Sequence, residues 1–161
     1  MILIRNAVSQ TLISLLNGEI DALWDKRVWC TSQQSWDNSL KEGIFGPVSS
    51  SDVSFTHKQK IKKELSEHLP SGDAQFNYHL WHHESGIRFH SDAGYQYGAT
   101  LYLNEWDKKW GGLFVWEDDG LHCVCPEPGL LVLNTDKQPH HVTNISPQAP
   151  YPRRSLQIFA R

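Results

Sequence analysis

His90-Ser91-Asp92, His140-His141-Val142 and Arg153-Arg154-Ser155 are the residues whose types and spacing could carry chemistry. Two imidazoles and a carboxylate can occupy one face of a metal ion and leave its other positions open for reagents. That donor set suits non-haem Fe(II), which must hold a cosubstrate and oxygen together. On a strand, side chains at i and i+2 point to the same side, so His90 and Asp92 can reach one ion. A second histidine, His140 or His141, lies far enough on for several strands to turn back beside the first pair. The arginine that follows offers a planar cationic fork for a dicarboxylate. Arg153 and Ser155 share one strand face, and Arg154 takes the other. Each element is weak alone: His-x-Asp arises often by accident, a His-His pair is commonly a surface pair, and Arg153-Arg154 could be a solvated charge pair. Their order, spacing and strand-like setting together favour an iron site.

With these residues, the stretch from Phe76 to the C-terminus resembles the 2-oxoglutarate- and Fe(II)-dependent oxygenases, particularly their prolyl-4-hydroxylase-like branch. The likeness is also carried by Gly98-Ala99-Thr100-Leu101-Tyr102-Leu103-Asn104, Gly111-Gly112 and Pro126-Glu127-Pro128-Gly129-Leu130-Leu131-Val132-Leu133, in the family's order. The resemblance implies Fe(II) held by His90, Asp92 and His140. His140 is preferred to His141 because the family pattern is His-x-Val, which Val142 completes. It implies 2-oxoglutarate as cosubstrate and O2 as oxidant, and it admits ascorbate as a reductant. Oxidative decarboxylation to succinate and carbon dioxide would then accompany hydroxylation of an unactivated C–H bond. Arg153 would bind the distal carboxylate, with Ser155 beside it. The interval from His140 to Arg153 exceeds the family's usual spacing; the proline-rich loop between them absorbs the difference and keeps Arg154 as the alternative. In relatives an aromatic hydroxyl near the first sheet strand also contacts the cosubstrate. Tyr78 and Tyr102 are the candidates here, and Trp81, with an N–H instead, is the closest positional match. Halogenating relatives carry a small residue in place of Asp92, so the acid favours hydroxylation. The implied substrate is a peptidyl proline. The alternatives are a free amino acid or small metabolite, or a non-catalytic cupin-like metal-binding module.

The elements that must position these residues fall into a helical front and a strand-rich back. Val8, Leu12, Leu15 or Leu16, Ile20 and Leu23 recur at helical spacing, with Ser9 available as N-cap. A second helix is expected from Thr56, where Thr56-His57-Lys58-Gln59 has capping-box form. Residues 25–55 read as loop with short extended pieces, anchored by Trp29 and Trp36 or closing over substrate as a lid. From Phe76 onward, short apolar or alternating runs recur between turn residues, predicting eight strands near 76–82, 87–92, 98–104, 112–118, 121–126, 129–135, 140–146 and 154–160. That pattern suits a mainly β fold with supporting helices, and the resemblance implies a double-stranded β-helix, a cupin-like jelly roll. One domain is expected over 1–161, with 1–75 as helical support and loop and 76–161 as the β core.

Other features are more simply structural. His79, His82 and His83 spread over both faces of a strand and read as polar edge residues. Cys123-Val124-Cys125 lacks the second pair of a zinc site, and three cysteines do not make a disulfide framework, which fits a reducing cytoplasm. Tyr95, Tyr97, Trp106, Trp110 and Trp116 could line a groove for proline or fill the core. The net charge is −3, without basic blocks, so no nucleic-acid partner is expected. No signal peptide or bilayer-spanning run is evident. The expected partner is a peptide, protein or small-molecule substrate.

Overall fold

Alternation along the last strand sets the architecture. In Arg153–Ala160, Leu156, Ile158 and Ala160 are buried against the helices, while Arg153, Gln157 and Phe159 line a cavity on the other side. A strand buried on both faces can divide its residues this way only because its side-chain period is two. The structure, a computed structural model, describes residues 1–27, 29–31 and 42–161.

In chain order the elements are β1 (Ile2–Ile4), α1 (Gln10–Asp25), β2 (Cys30–Thr31), β3 (Ile44–Phe45), β4 (Val48–Asp52), α2 (Phe55–Glu64), β5 (Ala74–Trp81), β6 (Gly86–His90) and β7 (Tyr97–Tyr102). A short 3-10 turn (Lys108–Trp110) precedes β8 (Phe114–Glu117), β9 (Leu121–Val124), β10 (Leu131–Asn134), β11 (His140–Val142) and β12 (Arg153–Ala160). Two antiparallel sheets result. The larger has the order β1-β10-β7-β12-β5-β4-β2, and the smaller β3-β6-β11-β8-β9. All eight strands expected from Phe76 onward form, β5 to β12, each within a few residues of its expected place. This is the jelly roll that the strand pattern and the resemblance imply.

The front of the chain does more than support. β1 pairs with β10, β4 with β5 and β3 with β6, so residues before 75 extend both sheets. Within the expected loop of 25–55, Val48–Asp52 is therefore a paired strand inside the larger sheet. Trp29 is partly buried against the helix-side core and meets Trp24 edge-on at 6.0 Å. Trp36 lies outside the described residues.

α1 begins as expected, with the Ser9 hydroxyl accepting the Leu12 N–H at 3.1 Å. The Glu64 carboxylate at the end of α2 accepts from both the Ser9 N–H (2.6 Å) and its hydroxyl (2.9 Å), tying one helix's start to the other's finish. Leu16 is fully buried and Leu15 is 40% exposed, so Leu16 completes the apolar stripe. α2 starts one residue before the expected Thr56. Ser54, in extended conformation, is its cap and its hydroxyl accepts the His57 N–H, which places Thr56 inside the first turn. The helices lay Leu12, Leu16, Ile20 and Ile61 on Phe76, Leu101, Leu156 and Ile158. A second apolar cluster, including Trp81, Ile87, Phe114, Val132 and Val142, fills the space between the sheets. Among the described residues, no helix is long and apolar enough to cross a membrane.

The helix-side core should carry much of the stability. Leu156 has no measurable exposure, and Leu156→Ala should cost about 2–5 kcal/mol through lost burial and the cavity left behind. A shift in the denaturant midpoint measures it; a change below about 1 kcal/mol would mean that helices and sheet collapse into the gap.

Candidate metal centre

β6 and β11 are neighbours in the smaller sheet, and a register irregularity between them sets His90 directly opposite His140. A bulge of this kind re-aims side chains locally. The two rings lie 4.3 Å apart between centroids. Asp92 follows two residues beyond the end of β6, in a turn closed by the Tyr95 N–H donating to the Asp92 carbonyl at 3.0 Å. Asp92 Oδ2 is then 3.5 Å from His140 Nε2, and Oδ1 is 3.8 Å from His90 Nε2. One donor atom from each residue lies within 4.8 Å of the others, as a shared ion requires.

The far side of each ring fixes which nitrogen faces that point. His90 Nδ1 lies 2.9 Å from the Arg88 carbonyl, and His140 Nδ1 is 2.9 Å from that of Gln138. A carbonyl can only accept, so each Nδ1 carries the proton and each Nε2 presents a lone pair inward. Burial, followed by the neighbouring His140, also pushes the His90 pKa down, which favours the neutral ligand form. Asn134 supports His140 from behind, its side-chain amide donating to the same Gln138 carbonyl at 3.0 Å. His141 points elsewhere and packs on Phe89 at 4.3 Å.

Gly98 was not singled out by the sequence as a site residue, yet the carboxylate depends on it. A Cβ at Gly98 would sit 2.7 Å from Asp92 Oδ2 and 3.2 Å from Phe159 Cε1. Such a side chain would take the space that the carboxylate needs.

The triad opens into a cavity of about 390 Å³ between the sheets. Arg153 closes one end with only 1% exposure, its guanidinium 4.9 Å from the Trp81 ring centroid and 5.3 Å from that of Tyr102. It donates through Nη1 to the Gly112 carbonyl. The Gly111-Gly112 hairpin that carries this acceptor has φ of +68° and +63°, where glycine is favoured. Among the described residues no carboxylate pairs with Arg153. Arg153 Nε, Tyr102 Oη, Ser155 Oγ and Asp92 Oδ1 are all buried without a hydrogen-bond partner. Unsatisfied buried polar atoms are rare and costly; Arg153, Tyr102 and Asp92 line the cavity and Ser155 is the register partner of Tyr102, a set that suits a bound anion and a cation. Arg154 takes the other face of β12 and reaches Asn17 (3.0 Å) and Asp21 (2.7 Å) on α1.

Two expectations need correction, and the groove-or-core alternative for the aromatics is resolved mostly toward the core. Tyr78 does not meet the cavity: it is on the helix face of β5, and its hydroxyl donates to Glu19 at 2.5 Å. His79 is no edge residue, because β5 lies between β12 and β4 and turns His79 into the cavity with 2% exposure. Burial, then the charge of Arg153, depresses its pKa to about 3, so it is neutral. Of the five candidate groove aromatics, only Tyr95 lines the cavity. Tyr97 belongs to the helix-side core, and Trp106 meets Trp110 and Tyr151. Trp116 stacks on His122.

No family model matches the sequence, and no curated protein does either. Solved structures do match in fold. A Pseudomonas putida prolyl-4-hydroxylase aligns at 20% identity and TM-score 0.72, over 99% of this chain and 91% of its own. A Trichoplax adhaerens prolyl hydroxylase, solved with a hypoxia-inducible-factor peptide fragment, aligns at 14% identity and TM-score 0.76, over 99% and 82%. SnoN, a non-haem α-ketoglutarate-dependent epimerase from nogalamycin biosynthesis, aligns at 11% identity and TM-score 0.73, over 99% and 76%. The fold is thus that of the 2-oxoglutarate–Fe(II) oxygenases, prolyl-4-hydroxylases among them.

The contact of Gly98 with Asp92 yields a test of the centre. Gly98→Ala should leave the fold intact, because both atoms it meets, Asp92 Oδ2 and Phe159 Cε1, belong to side chains and not to backbone, and should weaken Fe(II) binding by roughly 10- to 100-fold, the range for residues that orient ligands. His141→Ala should leave Fe(II) binding unchanged. Metal titration of both variants checks this; loss of binding in His141→Ala alone would displace His140 from the ligand set.

Proposed function

We propose that this chain is a 2-oxoglutarate- and Fe(II)-dependent dioxygenase that hydroxylates an unactivated C–H bond, with a peptidyl proline as substrate. One observation carries the reading: the His90–Asp92–His140 set shares a single cavity with a buried Arg153 that has no acid beside it among the described residues. The donor set suits Fe(II), with two neutral imidazoles and one carboxylate leaving room for further ligands. With iron and 2-oxoglutarate bound, oxidative decarboxylation of the 2-oxo acid supplies the oxidising power, which protein side chains lack.

The chain's own residues do the positioning. Arg153, its fork already oriented by the Gly112 carbonyl, holds the distal carboxylate. Ser155 and Tyr102 are register partners on adjacent strands, and both have hydroxyls without a partner, so they donate to the same anion. Trp81 packs the guanidinium from the other side and keeps water away from it. The apolar walls given by Ile87, Phe114, Val132 and Val142 exclude water from the space between anion and metal. Asp92, held over Gly98, would serve as the carboxylate ligand of the metal, the donor that halogenating relatives lack.

The peptidyl-proline reading is supported by the two prolyl hydroxylases of like fold, one of them solved with a peptide. SnoN marks the competing outcome, since a chain of the same fold is an epimerase.

Anaerobic addition of Fe(II) and 2-oxoglutarate should produce a visible charge-transfer absorption that needs both additions. Arg153→Ala should weaken 2-oxoglutarate binding by roughly thirtyfold or more, since truncating one partner of a buried charge pair costs about 2–5 kcal/mol. Arg154→Ala, which loses only its contacts to α1, should leave that affinity unchanged. The reverse result would move the role to Arg154. For the substrate, proline-containing peptides, free amino acids and methylated oligonucleotides should be compared by succinate release and product mass. A gain of one oxygen on proline is expected; turnover of an amino acid or a base alone would remove the prolyl reading and keep the oxygenase one.

A further inference from the structure

The cavity has two unlike ends on one strand face. Arg153 closes the first, and Arg161, on the same face of the chain as β12 leaves the sheet, lines the second. Eight residues separate them, about 26 Å at the usual rise of an extended strand. The triad lies toward the Arg161 end, because Phe159 and Asp92 crowd the same point above Gly98. Arg161 is exposed, so a molecule entering at that end meets the triad's side of the cavity first.

What surrounds it is specific. Tyr95, held by the turn that carries Asp92, packs on Phe159 with ring centroids 4.7 Å apart. The Arg161 guanidinium lies over the Tyr95 ring at 5.4 Å. Both rings are only half-buried, so they present apolar surface to an incoming molecule beside the metal ligands. Among the described residues no carboxylate pairs with Arg161. Lys137 donates its ammonium to the Ala93 carbonyl, next to Asp92, at 3.1 Å. Arg161 and Arg153 are the arginine or lysine side chains that line the cavity among the described residues, so the positive charge at this end comes from Arg161. The Tyr95 ring places the planar guanidinium, while its N–H edge stays free to donate.

We propose that Tyr95, Phe159 and Arg161 form the substrate subsite and that they select an aliphatic substrate carrying a carboxylate. The ring pair packs the C–H-bearing part next to the triad, and Arg161 binds the acid at the mouth. The carboxylate can come from an acidic side chain beside a peptidyl proline or from a free amino acid. The inference rests on the oxygenase reading and deepens it. It also accounts for an open end that lacks most of the candidate groove aromatics: orientation comes from charge more than from an extended apolar trough.

Calorimetry on the full chain, loaded anaerobically with Fe(II) and 2-oxoglutarate, tests it. The probes are end-blocked tripeptides with proline followed by glutamate or glutamine, and free proline against proline amide. At least one acid should bind more tightly than its neutral counterpart, by roughly two- to fivefold, as for an exposed charge pair. Which pair discriminates identifies the source of the carboxylate. Arg161→Gln should erase the preference, and raised salt should weaken it. Equal binding of acid and neutral probes, no binding of any acid, or a preference that survives Arg161→Gln would overturn the proposal. The charge-transfer absorption reports the oxygenase reading separately. If it forms and the acids do not discriminate, only the subsite falls; if it fails to form, the oxygenase reading falls whatever the acids do.

Discussion

A guanidinium with almost no access to water stands inside this fold with no acid beside it among the described residues. Burying an unpaired charge costs several kcal/mol even after local relaxation. Burial accordingly depresses the Arg153 pKa from its ordinary value. The rings of Trp81 and Tyr102 and the Gly112 carbonyl return part of that cost through cation–π attraction and one charge-assisted hydrogen bond. The rest has to come from the two apolar clusters, which explains why so small a chain covers both faces of its larger sheet. An anion entering the cavity would meet a site whose desolvation has already been completed by folding. Its binding free energy would then add to stability by linkage.

The proposed metal ligands and the proposed anion site come from different sheets. His90, Asp92 and His140 belong to the smaller sheet or its turns, and Arg153, Ser155 and Tyr102 to the larger. Their separation is set by how the sheets pack, through side chains such as Ile87, Phe114, Val132 and Val142. Cores of this kind resist volume change, so the spacing is held without direct contact between the two groups. Glycines do the local adjustment. Gly98 leaves room for a ligand, and Gly111-Gly112 turns a carbonyl onto the arginine.

Much of this was legible in the sequence because strands alternate. The eight-strand back and the facing of Arg153 away from Arg154 both follow from period two, and the structure has both. Leu16 rather than Leu15 could not be told from spacing, since both fit a helical stripe until the partner sheet is known. His79 was misplaced for a different reason. Nothing in a single sequence says whether a strand lies inside a sheet or at its rim, and β5 is made interior by β4, from a stretch that reads as loop. The same alternation that turns His79 inward turns Tyr78 outward, where Glu19 on α1 receives its hydroxyl. Gly98 left no signal of its own, because a glycine needed for what is absent looks like any other.

The neutrality of His79 fits the electrostatics of the closed end. A protonated imidazole there would place a second buried charge near Arg153, and Arg153's charge is itself one of the two causes that depress the His79 pKa. With His79 neutral, the closed end carries a single positive charge, matched to one carboxylate. At the open end a bound metal would neutralise Asp92, and Arg161 sits at the solvent edge, where water screens it. In the proposed roles the two cations would differ: the buried one would bind strongly and admit one anion, and the exposed one would select weakly and release quickly. A cosubstrate seated deep before a substrate arrives at the mouth is the order of binding that this gradient favours.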